Sequence, residues 1–149
     1  MTSGTRHRFS LVFGGAALAW AGFLAGVSFL ATPVKFAAPS LALPVALDVG
    51  RVTFAALSRV EIVLAILLVL LALSIGRTVW NIGGALLLVG LVAAELLWLL
   101  PELDARVQII MDGGTPPQSG THVLYVTIEA VKLLLLFGLG ALNLWKARQ

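Results

Sequence analysis

Near the C-terminus, four residues that can ionise or hydrogen-bond recur at helical spacing: His122, Tyr125, Glu129 and Lys132. At 100° per residue they fall within about 80° of one another and form a single stripe. Below them Leu133 to Leu144 is apolar except for Asn143, so the stripe is written into a segment that reads as a membrane helix. Ionisable residues inside such a segment are rare, face the bundle interior or a water-filled cavity, and mark functional sites by default.

The elements that must position this stripe follow from composition. The chain has 149 residues, is 60% hydrophobic and only 11% charged, and its mean hydropathy is +1.04. An ordinary soluble domain is about 25% charged, so this is an integral membrane protein in contact with the lipid bilayer. The basic balance arises from ten Lys and Arg against seven acids. No basic patch with interleaved aromatics exists, so nucleic acid is not a partner and the bias reads as membrane orientation. The absence of cysteine removes disulfides, thiolate metal sites and cysteine nucleophiles together.

The fold class expected is all-α, an up-and-down bundle of four transmembrane helices with spans at about 9–31, 52–75, 79–100 and 122–145. Arg6, His7 and Arg8 before the first run resemble a signal peptide's charged start, but the apolar run from Phe9 to Ala31 is long enough to span. Within it Gly15, Ala19, Gly22 and Gly26 make a small-residue face on which a helix can approach closely, either a neighbour in the bundle or, through Gly22 and Gly26, a second copy. Thr32-Pro33 is expected to end this span, because proline biases the preceding residue away from helix.

Residues 37–49, with Pro39 and Pro44, read as a loop leading into a helix from about Asp48. Gly76-Arg77 closes the second span and Pro101 stops the third. Glu102 to Asp112 reads as a short interfacial helix, followed by a turn-rich stretch from Gly113 to Gly120. Thr121 is the expected N-cap of the fourth span.

Four spans place both termini and Arg77 on one side, with Arg6, Arg8, Lys146 and Arg148 and no acid. The other side holds Lys35, Arg51 and Arg106 together with Asp48, Glu102, Asp104 and Asp112. The positive-inside rule then makes both termini cytoplasmic, in what reads as a bacterial inner (plasma) membrane. Trp80 and Trp145 fall at the inner interface, Trp98 at the outer one, and Trp20 near mid-membrane as a packed core residue.

Counting about 20 residues per span at 1.5 Å rise brings Glu61, Glu95 and Glu129 to one level, roughly 6 to 8 Å below the outer boundary. Lys132 lies a turn deeper, and Lys35, Arg59, His122 and Tyr125 ring the level from above. Glu129 and Lys132, three residues apart, can pair on their own helix. Arg59 lies about 160° from Glu61 and snorkels outward instead. Glu61 and Glu95 are short of cations, so they share Lys132, His122 or Lys35, bind a cation, or hold protons.

Two arrangements satisfy these residues: a hydrogen-bonded network that only holds helices together, or an outward-open polar pocket that binds or passes a cation or proton. Carboxylates and one imidazole would suit a divalent ion, but Cys is absent and Met111 lies in a loop, so no metal is assigned. His7 and His122 lie on opposite sides of the membrane, which excludes bis-His haem within one chain, and no cofactor is expected. No nucleophile and base constellation or phosphate loop occurs, so the protein reads as non-enzymatic. The competing class is an accessory or assembly subunit whose small-residue face docks a homo-oligomer or a larger membrane complex.

Phe29-Leu30-Ala31-Thr32-Pro33-Val34-Lys35-Phe36 and the helix carrying His122, Tyr125, Glu129 and Lys132 together resemble the transmembrane-protein-205-like family of small four-helix membrane proteins, a domain of unknown function. The resemblance spans nearly the whole chain. More distantly the chain is similar to the membrane domain of copper-resistance D proteins, although the Cys, Met and His of a copper path are largely missing. The resemblance implies four spans and a polar fourth helix, with no activity to carry over.

Overall fold

The computed structural model describes residues 3–75 and 79–148, and every regular element among them is helical. Four helices are long and apolar enough to cross a membrane: α1 (Gly4–Lys35), α2 (Leu43–Ile75), α3 (Val79–Met111) and α4 (Thr121–Lys146). Helices suit such runs because each satisfies its own backbone N–H and C=O groups, which hydrocarbon cannot. α1 packs on α2, α2 on α3 and α3 on α4, and the contact of α1 with α4 closes the ring as an up-and-down bundle. The Gly76-Arg77 turn lies outside the described residues.

Large apolar side chains such as Val63, Leu70, Leu97 and Leu134 point outward and are more than half exposed, as lipid-facing positions are. Inside, Phe13, Trp20, Leu24, Leu68, Leu88 and Leu136 belong to a large core cluster in the half of the bundle that carries the termini. A smaller cluster of Leu99, Leu100 and Tyr125 fills the other half. Glu61, Glu95, Glu129 and Lys132 form a charged layer between the two.

Helix continuity departs from the expectation at both prolines. Thr32-Pro33 does not end α1, and Pro101 does not stop α3. Each proline follows a π-helical stretch, Ala25–Ala31 in α1 and Glu95–Leu99 in α3, and opens a new α-helical turn behind it. A proline inside an α-helix clashes with the carbonyl four residues back and lacks the N–H to bond it. In the first turn of a helix neither matters. The wider π register supplies that fresh start: the Thr32 N–H bonds the Val27 carbonyl, and the Leu100 N–H bonds that of Glu95, each five residues back. Thr32 Oγ1 adds a second donor to the same Val27 carbonyl at 2.8 Å. The Glu102 to Asp112 piece is therefore the end of α3 remote from the chain termini, the outer end in the sense of the bundle alone, and not a separate interfacial helix.

Three local expectations also change. α2 begins at Leu43 and not near Asp48, with Pro44 tolerated in its first turn. Thr121 is the first helical residue and not the cap, which is Gly120. The Thr121 hydroxyl instead donates to Glu102 Oε1, tying the start of α4 to the outer end of α3.

The small-residue face of α1 is turned away from the bundle. A Cβ built on Gly15, Gly22 or Gly26 would meet nothing within 4 Å, and Ala19 is exposed. The residues that admit a close neighbour are Gly14 and Gly140: a Cβ on Gly14 would stand 3.0 Å from the Gly140 carbonyl, and one on Gly140 3.2 Å from that of Gly14. The physical reason is the inward stripe Phe13, Ala17, Trp20, Ala21 and Leu24, whose bulk claims the core side and leaves the glycine row outside.

Candidate functional site

Lys132 stands at the centre of the charged layer. Its Nζ lies 2.8 Å from Glu61 Oε1, 2.5 Å from Glu95 Oε2 and 2.6 Å from Glu129 Oε1. An ammonium has three N–H donors, and here three carboxylates surround it. All four side chains are at most 2% exposed. Glu129 comes from the same helix one turn away, Glu61 from α2 diagonally across the bundle, and Glu95 from the adjacent α3. A charge buried this deeply is tolerated only in such pairing, since removing one partner strands the others.

α1 brings no charge to the layer but supplies two donors. Trp20 Nε1 donates to Glu61 Oε1 at 3.1 Å, and Ser28 Oγ donates to Glu129 Oε2 at 2.5 Å. Neither residue was singled out as polar from the sequence. The signal was available: Trp20 and Ser28 are eight residues apart, about 80° around the helix, and flank Leu24 on the face that also carries Phe13. Trp20 is completely buried, as its mid-membrane position implied, and it also makes this bond. Ser28 lies within the π stretch of α1 and Glu95 opens the one in α3, so the widened turns before the two prolines carry two of the layer's polar groups. Such π turns are frequent at functional sites.

The remaining expected members divide. Tyr125 is 3% exposed and caps the layer on the outer side, its ring edge-on to Phe54 with centroids 5.2 Å apart. His122 is exposed and Lys35 half-buried, and neither makes an ion pair with the glutamates. Both belong to an outer cleft. Arg59 is exposed and lines a separate groove with Arg51 and Asp104, in keeping with its outward direction.

A cavity of about 380 Å³ joins these two levels. Ser28, Thr32, Phe36, Phe54, His122, Tyr125 and Glu129 line it, so it has the exposed His122 and the buried Glu129 in one wall. Glu129 borders this cavity, and like Glu61 and Glu95 its side chain is buried. Glu95 Oε1 is buried without a hydrogen-bond partner.

Chemically the layer holds three carboxylates and one ammonium, which leaves it short of positive charge by two if every group is ionised. The three glutamates each offer an oxygen within 4.8 Å of the others, the spacing of a metal site. Lys132 occupies the position between them, so the arrangement is an internal lysine clamp. A second polar contact in the terminal half, not anticipated from sequence, joins α3 to α4: Asn81 and Asn143 exchange reciprocal amide hydrogen bonds of 3.0 Å each. No family model, curated protein or solved structure matches the chain.

Proposed function

We propose that this is a non-enzymatic integral membrane protein that takes a proton or small cation from its outer cleft onto the Glu129 end of a buried carboxylate and lysine layer. One observation carries the reading: Glu129 is ion-paired to Lys132, accepts a hydrogen bond from Ser28 and lines the cavity that His122 also lines. The charge deficit of the layer gives an arriving proton or cation a reason to bind. The membrane would be a bacterial inner membrane with both termini cytoplasmic, as the distribution of Arg and Lys favours. The resemblance to the transmembrane-protein-205-like family adds a four-span frame to this reading and no activity.

Purified protein in liposomes carrying an internal pH-sensitive dye tests it. An imposed proton or potassium gradient should dissipate faster than in empty vesicles, and Glu129→Gln should slow that dissipation at least tenfold. Dissipation equal to that of empty vesicles under both gradients would sink the proposal.

A second reading, an accessory subunit of a larger membrane complex, is favoured by the row of Gly15, Ala19, Gly22 and Gly26, where a Cβ on any of the three glycines would meet nothing within 4 Å among the described residues. Mass determination of the protein extracted from its native membrane separates the two: other chains in stoichiometric amounts support the subunit reading.

A further inference from the structure

Beside the cavity that reaches Glu129 lies a second cleft of about 210 Å³, walled by the outer ends of α1, α2 and α3. The two cavities share Thr32, Phe36, Phe54 and His122 and therefore adjoin. Together they fall in the size range of small-ligand pockets, roughly 300–1,000 Å³. Their walls are mostly apolar, with Leu47, Leu100, Leu103 and Val107 on one side and Phe29 and Val126 on the other. Set into this apolar wall are Lys35, Arg51 and Arg106, with Asp104 as the acid.

The positive charges are not used up internally. Arg51 is held by Asp48 at 2.7 Å. Lys35 and Arg106 pair with no side-chain carboxylate among the described residues. Lys35 is also positioned: its Nζ lies 5.0 Å from the centroid of the Phe36 ring and rests against α2 at Gly50, where a Cβ would collide with it. Gly50 is buried, and its missing side chain is what lets the ammonium nest there. A partly buried, unpaired ammonium in the wall of an apolar cleft is half of an amphiphile site; the other half is the adjoining cavity lined by Phe29 and Val126.

We infer that the outer cleft binds one anionic single-chain amphiphile, a long-chain carboxylate, with its acid head on Lys35 and its chain along the shared apolar wall. Arg106 and His122 border the head, and Phe36 and Phe54 border the chain where the two cavities meet. Apolar area would supply affinity, and the charged head would set orientation and selectivity. This inference does not rest on the proton or cation reading, since the head is held by Lys35 and the chain by the apolar wall, although Glu129 lines the same cavity.

The test uses the whole protein in nanodiscs of phosphatidylcholine and a hexadecanoate bearing a photoactivatable diazirine on its chain. Crosslinking should saturate at one probe per protein and map to the cavity-lining Phe29, Thr32, Phe36, Leu100, Leu103 and Val107. Palmitate should compete with it, while hexadecanol, the same chain without the charge, should compete at least tenfold less well. Lys35→Gln should cut labelling at least fivefold. Gly50→Ala should do likewise while leaving the melting temperature nearly unchanged, because the end of the flexible lysine gives way to the new methyl group. Equal competition by hexadecanol overturns the inference, as does labelling spread over the lipid-facing residues. Unchanged labelling in a folded Gly50→Ala protein, together with unchanged labelling in Lys35→Gln, also overturns it.

Discussion

Trp20 and Lys132 donate to the same atom: Glu61 Oε1 accepts the indole N–H at 3.1 Å and the ammonium at 2.8 Å. α1, which contributes no charge to the layer, is thereby fastened to its centre. Trp20 is fully buried in the large core cluster and lies at the boundary between apolar packing and charged layer. Replacing it with Phe keeps most of the bulk and removes the donor. A hydrogen bond to a charged group is worth about 1.5–3 kcal/mol, so Trp20→Phe should cost at least that much in a reversible detergent unfolding experiment. A loss below about 0.5 kcal/mol would mean that the indole contributes only its packing.

Lys132→Met removes the one cation from among three carboxylates. Breaking a buried pair typically costs about 3–5 kcal/mol because the partner is left uncompensated. Relief comes from protons, since carboxylates this close cannot all ionise. The folded variant then binds more protons than the unfolded chain, and stability falls as pH rises wherever that holds. The variant should therefore unfold more readily at alkaline than at acidic pH, and the added change Glu129→Gln should recover part of the loss. A pH profile identical to that of the parent protein would remove Lys132 from the carboxylate layer.

Gly14 and Gly140 should be intolerant of size, and Gly22 and Gly26 indifferent to it. Gly140→Ala forces a methyl group against Leu18 and toward the Gly14 carbonyl 3.2 Å away, an overpacking that costs about 1–3 kcal/mol. Gly22→Leu with Gly26→Leu adds bulk to an outward face and should leave the unfolding of the monomer unchanged. If the double leucine variant lowers monomer stability while Gly140→Ala does not, the rotation of α1 described above is wrong. A change in oligomeric mass with unchanged monomer stability would identify the glycine row as a contact with another chain.

Orientation can be read with single cysteines, because the chain has none of its own. Gly4 and Thr115 are exposed and lie at opposite ends of the bundle. In intact cells an impermeant maleimide should label Thr115→Cys and spare Gly4→Cys until the membrane is opened. The reverse pattern would invert the protein and place the outer cleft on the cytoplasmic side.

Much of the bundle was legible from the chain alone. Lengths of apolar sequence, the charge bias between the two sides and the rise of a helix placed Glu61, Glu95 and Glu129 at one depth, because depth depends only on counting along straight helices. The pairing of Glu129 with Lys132 followed from their separation of three residues on one helix, a local fact. Rotation about each helix axis was a different matter. The row of small residues on α1 suggested an inward face, yet the bulk of Phe13, Trp20 and Leu24 turns that row outward, and with the turn come Trp20 and Ser28 to Glu61 and Glu129. Likewise the two prolines read as helix ends, since a proline's local effect is to break an α-helix. The structure keeps α1 and α3 continuous because a π turn before each proline widens the register and lets the proline open a new α-helical turn. Sequence determined which groups share a level in the membrane; tertiary packing decided which of them touch, because contact depends on helix rotation, and rotation is set by the shapes of side chains on the other three helices.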